Sequence, residues 1–276
     1  MAVVLITGCS SGIGKYSALE MARRGHRVFA SLRNLESAGF IRADARKADL
    51  TLEILQLDVT DPGSVTNAVQ QVLKQAGAID VLVNNAGMGS VGVVEDYTDA
   101  EIRYVFETNF FGAVRTTRAV LPAMRARCSG TIIMMSSISG LRTFPFASVY
   151  SASKFALEAI SNGLRYELKP FGIRVVLIEP GNFQTRAGSN MHFPKRITPG
   201  SGEATSDPLY ATLARRPPHP FPTFALGDAH DIARLVADVA ESDEPNARYP
   251  VGEDAQYYMG LGGEQFEELV RQRMTA

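Results

Sequence analysis

A tyrosine and a lysine stand four positions apart in the stretch VYSASKFALEAI, residues 149–160. The apolar spacing of this stretch predicts a helix, and residues four apart on a helix lie one above the other on the same face. Tyr150 and Lys154 should therefore hold a phenol beside an ammonium ion. Such a pair is either a solvated surface contact or an acid–base group, and the helix alone does not distinguish them.

The chemistry available to this pair is proton transfer. A free tyrosine has a pKa near 10, which makes it a poor base at neutral pH. An ammonium ion about 4 Å away, at an effective dielectric of about 20, stabilises the phenolate by roughly 4 kcal/mol, or about three pKa units. Burial acts in the opposite direction because it disfavours the charged form. If the ammonium dominates, Tyr150 is expected to titrate with a pKa near neutrality and to exchange protons efficiently.

The elements that must position this pair alternate between short apolar runs and longer helical patterns. The runs are continuously apolar, which is typical of parallel strands covered on both faces. They lie at residues 3–7, 27–31, 52–58, 80–84, 131–136 and 174–180. Segments 13–24 and 63–75 lie between them and are long enough for crossover helices. The pattern predicts an α/β fold with a doubly wound parallel sheet and helices on both faces.

Composition excludes several classes of function. Lys and Arg total 28 against 29 Asp and Glu, so the balanced charge gives no pull toward nucleic acid or an anionic membrane. The two cysteines, Cys9 and Cys128, are too few for a disulfide framework, and no metal-ligand spacing is present. No apolar run approaches the length of about 18 residues that a membrane span needs. We expect a soluble protein of the reducing cytoplasm, without a metal site.

Residues 182–224 break the alternating pattern with a segment dense in Pro, Gly and Ser. A loop of this length is either a functional lid or disordered. Its scattered apolar residues favour a substrate-binding lid with an apolar inner face; they are Met191, Phe193, Leu209, Tyr210, Leu213, Phe221 and Phe224. A helix over 228–241, a short strand over 248–251 and an amphipathic helix over 264–273 are expected after it.

A glycine-rich stretch, TGCSSGIG, follows the first predicted strand directly and opens the next helix. Glycines in this setting allow the backbone to approach a pyrophosphate at a helix N-terminus. The spacing of Gly8, Gly12 and Gly14 differs from G-x-G-x-x-G, and a turn that serves packing alone is the alternative.

The spacing T-G-x-x-x-G-x-G resembles that of the classical short-chain dehydrogenase/reductase family. Four further motifs follow in family order: NNAG at 84–87, Asn109 in TNFFG, Ser137 followed 13 residues later by Tyr150 in YSASK, and PGNFQT at 180–185. Residues 150–181 with the Pro-rich insertion resemble the branch of 17β-hydroxysteroid and retinol dehydrogenases. The resemblance implies a single Rossmann-type domain over 1–276 that transfers hydride between a nicotinamide and an alcohol/carbonyl carbon.

The resemblance also implies roles for individual residues. Tyr150 is the general acid/base, Lys154 tunes it and binds the cofactor ribose, and Ser137 holds the substrate oxygen. Asn109 orders a water behind the lysine. The expected cofactor contacts are Thr7, Gly8, Ser10, Ser11, Gly12, Ile13, Gly14, Arg33, Asp58, Val59, Asn85, Ala86, Gly87, Tyr150, Lys154, Pro180, Gly181, Phe183 and Thr185.

The end of the second predicted strand bears on the choice of cofactor. Leu32 stands where relatives that prefer NAD usually carry Asp, and Arg33 follows it. A guanidinium can grip a 2′-phosphate with two hydrogen bonds, which favours NADP(H). NAD(H) stays possible, because Ser11 stands where the family has a second basic residue and Glu36 offers a ribose acceptor.

The expected substrate is a small hydrophobic alcohol or carbonyl compound. Its pocket should be lined by apolar residues near the motifs: Met88, Leu141, Phe144, Phe146, Val149 and Phe183. The amphipathic segment 118–127 resembles a helix of the family's dimer interface, which implies a homodimer or homotetramer. A non-catalytic dinucleotide-sensing regulatory protein of the same fold is the alternative function. Such a protein is expected to have lost the tyrosine or the lysine.

Overall fold

The computed structural model describes residues 1–184, 191–195, 207–208 and 222–275. Its strands, in chain order, are β1 Val3–Ile6, β2 Arg27–Leu32, β3 Glu53–Gln56, β4 Val81–Asn84, β5 Gly89–Ser90, β6 Gly130–Met135, β7 Ile173–Pro180, β8 Phe183–Gln184, β9 Met191–His192, β10 Gly227–Asp228 and β11 Arg248–Val251. The helices are α1 Gly12–Arg23, α2 Gly39–Lys47, α3 Pro62–Ala76, α4 Asp99–Phe106, α5 Gly112–Ala126, α6 Ser148–Leu168, α7 Ala229–Glu241, α8 Glu253–Gly260 and α9 Gly263–Thr275.

Seven of the described strands form one parallel sheet in the order β11-β7-β6-β4-β1-β2-β3. The predicted doubly wound sheet is therefore confirmed, and its six predicted strands begin and end within two residues of the observed ones. The strand order reverses between β1 and β4, and a doubly wound fold binds its ligand at this switch point.

The core lies on both faces of the sheet, as continuous apolar strands require. Along β1, Leu5 points to the core under α3, α5 and α6, whereas Val4 and Ile6 point to the core under α1 and α7. Leu82 and Val83 divide β4 between the two cores in the same way. Each central strand is therefore covered by helices on both faces. A ligand can reach it at its carboxyl end.

Local signals in the sequence explain where several helices begin and end. Asp61 caps α3 by accepting from the N–H of Gly63, and Gly77 ends that helix with a left-handed backbone, φ 76°. Thr98 and Glu101 form a capping box at the start of α4.

The C-terminal part differs from the sequence-based prediction. The sequence pattern does not predict helix α8, because its eight residues carry no clear apolar period. Asp254, in its first turn, is nevertheless buried. Most of the predicted lid over 182–224, including Leu209, Tyr210, Leu213 and Phe221, lies outside the described residues. In the described part of the chain, no helix combines the length and apolar character needed to cross a membrane.

A buried residue of the central strand tests this account of the core. Leu82→Ala should lower the free energy of unfolding by about 2–5 kcal/mol, because it leaves a cavity between β4 and its helices. Urea denaturation measures the loss. Leu226→Ala is the matched control, since that side chain is 63% exposed. The control should change stability by no more than about 0.5 kcal/mol, and equal losses in both variants would contradict the assignment.

Candidate active site

A cavity of about 940 Å³ opens at the carboxyl ends of the central strands. Its walls come from the loops that follow β1, β4, β6 and β7, together with the first turns of α1 and α6. The cavity therefore lies at the switch point of the sheet, where the fold is expected to bind a ligand.

The glycine loop forms one end of this cavity and has the shape of a phosphate cradle. Gly8 has φ 75°, and a Cβ there would lie 2.8 Å from the Cα of Ala86. Gly12, with φ 58°, begins α1, whose first N–H groups have no partner within the helix. A Cβ at Gly14 would overlap the Asn85 side chain. The close approach and the N–H groups fit a dinucleotide pyrophosphate.

Two predicted cofactor residues hold this loop in place from behind. The Thr7 hydroxyl accepts hydrogen bonds from the N–H groups of Asn85 and Ala86, both at 3.0 Å. The Asn85 amide in turn donates to the carbonyls of Thr7, at 2.9 Å, and Gly8, at 3.1 Å. Neither Thr7 nor Gly14 lines the cavity, whereas Gly8, Ser10, Ser11, Gly12, Ile13, Asn85, Ala86 and Gly87 do.

Arg33 lies at the far end of the cavity with Asp58 and Val59. Its Nη1 is 3.4 Å from the hydroxyl of Tyr104, a wall residue from α4 that the sequence motifs did not reveal. Asp58 accepts from both the N–H and the hydroxyl of Thr60, at 2.9 and 2.8 Å. This end of the cavity therefore presents an exposed guanidinium.

Glu36, the alternative ribose acceptor, does not line the cavity. Its carboxylate instead accepts from the Asn34 amide at 3.1 Å.

Ser137, Tyr150 and Lys154 meet at the other end of the cavity. Tyr150 lies in the first turn of α6, and Lys154 follows one turn later on the same face, as the spacing predicts. The Lys154 Nζ is 5.8 Å from the centre of the Tyr150 ring and donates to the carbonyl of Met135 at 2.8 Å. Ser137 is the second residue after β6, in the neighbouring wall, and its hydroxyl lies 3.4 Å from the carbonyl oxygen of Pro180.

Burial controls the ionisation of this group. It raises the pKa of Tyr150 above its ordinary value, and a polar contact with Ser137 lowers that pKa only in part. Burial also lowers the pKa of Lys154 to about 8, against the negative charge of Glu158, which raises it. The expectation of a Tyr150 pKa near 7 is wrong for the chain's own residues, because burial raises this pKa more than the Ser137 contact lowers it. Tyr150 thus carries its proton at neutral pH.

Asn109 lies behind this group in a π-helical turn, Glu107–Phe111, and does not reach the cavity wall. Its side-chain oxygen accepts from the N–H of Met88 at 2.8 Å. Its amide nitrogen donates to the Met88 carbonyl at 2.9 Å and to Ser153 at 3.0 Å. The amide thereby ties the loop after β4 to α6, one residue before Lys154, and both of its N–H groups are used.

The loop after β7 closes the cavity and is held from a distant part of the chain. Pro180, Gly181 and Phe183, three of the expected cofactor contacts, line the cavity, and Thr185 lies outside the described residues. Buried Asp254, at the start of α8, accepts from the N–H of Asn182 at 2.7 Å. Motif spacing could not reveal Asp254, because it lies more than 70 residues after the loop.

The outer wall beside Ser137 is apolar and aromatic. Met88, Phe144 and Phe183 line it as expected, and Ile138, Tyr258, Pro222 and Met191 complete it. Phe144 packs edge-on against Tyr258, with ring centres 5.1 Å apart. Leu141, Phe146 and Val149 do not line the cavity, and Val149 packs instead with Tyr97 and Val105 in a small core.

Comparisons with known proteins agree with this geometry. The profile of the short chain dehydrogenase family matches residues 2–193. A 3-ketodihydrosphingosine reductase of Bacteroides thetaiotaomicron is 40% identical over 212 residues, 76% of this chain and 74% of that protein. Human retinol dehydrogenase 8 is 45% identical over 182 residues, 64% of this chain and 58% of that protein. Human 17-beta-hydroxysteroid dehydrogenase type 1 is 36% identical over 256 residues, 90% of this chain and 76% of that protein.

Solved structures show the same likeness. A short-chain dehydrogenase from Streptomyces avermitilis superposes with a TM-score of 0.80 and 33% identity, covering 100% of this chain and 96% of that one. An actinorhodin polyketide ketoreductase solved with NADPH superposes with a TM-score of 0.74 and 29% identity, covering 90% of this chain and 94% of that one.

The contact between Gly181 and Asp254 gives a test of the β7 loop. A Cβ at Gly181 would overlap the Asp254 carboxylate, which is pinned by the N–H groups of Asn182 and Ala255. Gly181→Ala should therefore lower the free energy of unfolding by about 1–3 kcal/mol, measured by urea denaturation. In an Asp254→Ala background the overlap is absent, and the same change should cost no more than about 0.5 kcal/mol. Additive losses would contradict this contact.

Proposed function

The chain belongs to the short-chain dehydrogenase family, and on that premise we propose that it is an NADP(H)-dependent oxidoreductase of hydrophobic alcohols and carbonyls. The observation that carries the proposal is the meeting of Ser137, Tyr150 and Lys154 in one cavity with the glycine loop. A cavity with a phosphate cradle at one end and a proton donor at the other suits reduction of a carbonyl by a bound dinucleotide.

The roles follow from the chemistry of each side chain. A bound nicotinamide supplies or accepts the hydride. Tyr150 gives a proton to the developing alkoxide in reduction and takes one from the alcohol in oxidation. Ser137 donates a hydrogen bond to the same substrate oxygen as charge develops there. Lys154, one helical turn from Tyr150, stabilises the phenolate that remains and is placed to bind the ribose.

Arg33 supports NADP(H) as the preferred cofactor. Its guanidinium is exposed at the adenosine end of the cavity, where it can bind a 2′-phosphate. Leu32 offers no carboxylate for a 2′-hydroxyl, and the Glu36 carboxylate is engaged by Asn34. The NADPH in the similar ketoreductase structure supports the same choice. NAD(H) remains a second, weaker cofactor.

The apolar wall supports a hydrophobic substrate. Ile138, Phe144 and Tyr258 flank the Ser137 side of the cavity, and they continue into a cluster with Phe266 from α9. Three similar proteins are named for a sphingoid base, retinol and a steroid, each of which is a lipid. A lipid-like alcohol or ketone would bury its carbon skeleton against this wall and direct its oxygen to Tyr150.

Assembly and location complete the proposal. Phe111, before α5, and Phe155, on α6, are each more than 40% exposed, and a second copy of the chain would cover them in a homodimer or homotetramer. Cys9 and Cys128 are both free thiols, which suits the reducing cytoplasm.

Tyr150→Phe tests the proposed acid. The variant should reduce carbonyls at least about 100-fold more slowly, because the proton donor is lost, while NADPH affinity stays nearly unchanged. Loss of NADPH absorbance across a panel of hydrophobic ketones and aldehydes measures turnover, and titration calorimetry measures binding. Tyr166→Phe, a 75% exposed tyrosine on the same helix, is the control.

Two outcomes would contradict the proposal. Full activity in Tyr150→Phe would remove this residue from the mechanism. Tight NADPH binding by the wild-type protein without turnover of any carbonyl would instead favour a dinucleotide-sensing protein.

Arg33→Asp tests the cofactor preference. The ratio of kcat/KM with NADPH to that with NADH should fall by about 10- to 100-fold, because a charged hydrogen-bond donor to the 2′-phosphate becomes a repelling carboxylate. Arg42→Asp on α2 makes the same charge change at an exposed position away from the cavity and should leave the ratio unchanged. An unaltered ratio in Arg33→Asp would refute the assignment.

A further inference from the structure

A cluster of three charged residues, two of them buried, lies near Lys154 and outside the cavity wall. It consists of Glu158 on α6, Glu179 near the end of β7 and Arg248 at the start of β11. Glu158 is 5% exposed and Glu179 is 0% exposed. None of the three lines the cavity. We call these residues the carboxylate cluster.

Glu158 is the member of the carboxylate cluster that shares a helix with Lys154. It follows Lys154 by four residues, so both side chains lie on one face of α6. Gly140 leaves room for the Glu158 side chain. A Cβ at Gly140 would lie 3.0 Å from the Glu158 Cγ, 2.8 Å from the Ser136 hydroxyl and 3.2 Å from the Lys154 carbonyl. Ser136 itself lines the cavity. Glu158 thus sits one residue layer behind the reacting groups.

Arg248 joins Glu158 to Glu179. Its Nη2 donates to Glu158 at 2.9 Å, and its Nη1 lies 3.4 Å from Glu179 Oε1. The parallel pairing of β11 with β7 sets this position, since Arg248 is in register with Leu177 and Pro250 with Glu179. Arg248 is also the member of the cluster nearest to solvent, with its side chain 34% exposed.

Stability alone does not account for the carboxylate cluster. Neither oxygen of Glu179 has a hydrogen-bond partner among the described residues. Burial raises the pKa of Glu179 to about 7, and it also raises that of Glu158. Buried ion pairs of this kind are often no more stabilising than apolar residues of the same size. Two costly carboxylates directly behind a buried catalytic ammonium therefore point to an electrostatic role.

We propose that Glu158, held by Arg248 beside Glu179, is a positioning residue that keeps Lys154 charged and so sets the pH range of catalysis. The proposal rests on the proposed function, because it assigns Lys154 to the support of Tyr150. The cluster acts through Lys154 and touches neither substrate nor cofactor.

The sign of the effect follows from the charges that face the cluster. The negative charge of Glu158 raises the pKa of Lys154 and thereby offsets part of the lowering caused by burial. Arg248 and Lys154 favour ionised Glu158, and Arg248 and Arg165 favour ionised Glu179, while the two carboxylates disfavour one another. Lys154 is charged below its pKa. Loss of the Glu158 charge should therefore lower the pH at which Lys154 becomes neutral.

Glu158→Gln is the direct test, because it keeps the shape of the side chain and removes its charge. In carbonyl reduction, the alkaline limb of the kcat–pH profile should move down by about one pH unit. Glu167→Gln removes one charge from an exposed position of the same helix and should leave the profile unchanged. An unshifted profile in Glu158→Gln would overturn the proposal.

A second measurement does not depend on turnover. The chain contains six lysines, so ¹³C-lysine NMR can follow Lys154 after its signal is assigned by loss in Lys154→Met. The titration midpoint of that signal should fall by about one pH unit in Glu158→Gln and stay constant in Glu167→Gln. The NMR titration separates the proposed role of Glu158 from the proposed oxidoreductase activity, since it can be measured even if no carbonyl is reduced.

Glu179→Gln supplies a variant in which the Lys154 midpoint is not expected to fall. Removing the second carboxylate relieves its repulsion of Glu158, so Glu158 stays ionised at lower pH. The Lys154 midpoint should then stay at its wild-type value or rise. A fall in both variants would indicate that the cluster acts only through general loss of packing, and would overturn the proposal. If Glu158→Gln does not fold, the direction found in Glu179→Gln decides.

Discussion

The burial of a phenol and an ammonium on adjacent turns of one helix is the constraint on which the rest of the structure depends. A charge removed from water is costly unless polar partners replace the water. Lys154 finds the Met135 carbonyl, and Tyr150 finds the Ser137 hydroxyl. Both partners come from the end of β6, so α6 must pack against that strand end for the pair to exist at all.

The same edge of the sheet gathers everything else that the site needs. Parallel strands bring their carboxyl ends together, and hydrogen bonds between the following loops then fix their relative positions. Thr7 joins the loops after β1 and β4, Asn109 joins the β4 loop to α6, and Asp254 joins the β7 loop to α8. Thr7 and Asn109 do not line the cavity. Their part in the site is to hold the residues that line it.

Electrostatics at this site is a property of the assembled protein and not of the Tyr150–Lys154 pair alone. The pair considered by itself predicts a phenol that is easily ionised. Burial reverses that result for Tyr150, whose pKa it raises, and it leaves Lys154 with a pKa of about 8. Glu158, four residues further along α6, moves the pKa of Lys154 back toward its ordinary value. The pKa values of Tyr150 and Lys154 therefore depend on burial and on Ser137 and Glu158, and not on the pair alone.

Much of this protein was determined by its sequence alone. Continuous apolar runs specified the parallel sheet, and the motif spacings identified the family together with Ser137, Tyr150 and Lys154, because helical period and strand–loop order are local properties. Only the tertiary structure decided which residues face the cavity and how they ionise. Tyr104 and Asp254 reach the site from distant elements, and Asn109 does not line it. Burial and long-range pairing depend on the whole packed chain, and no local pattern records them.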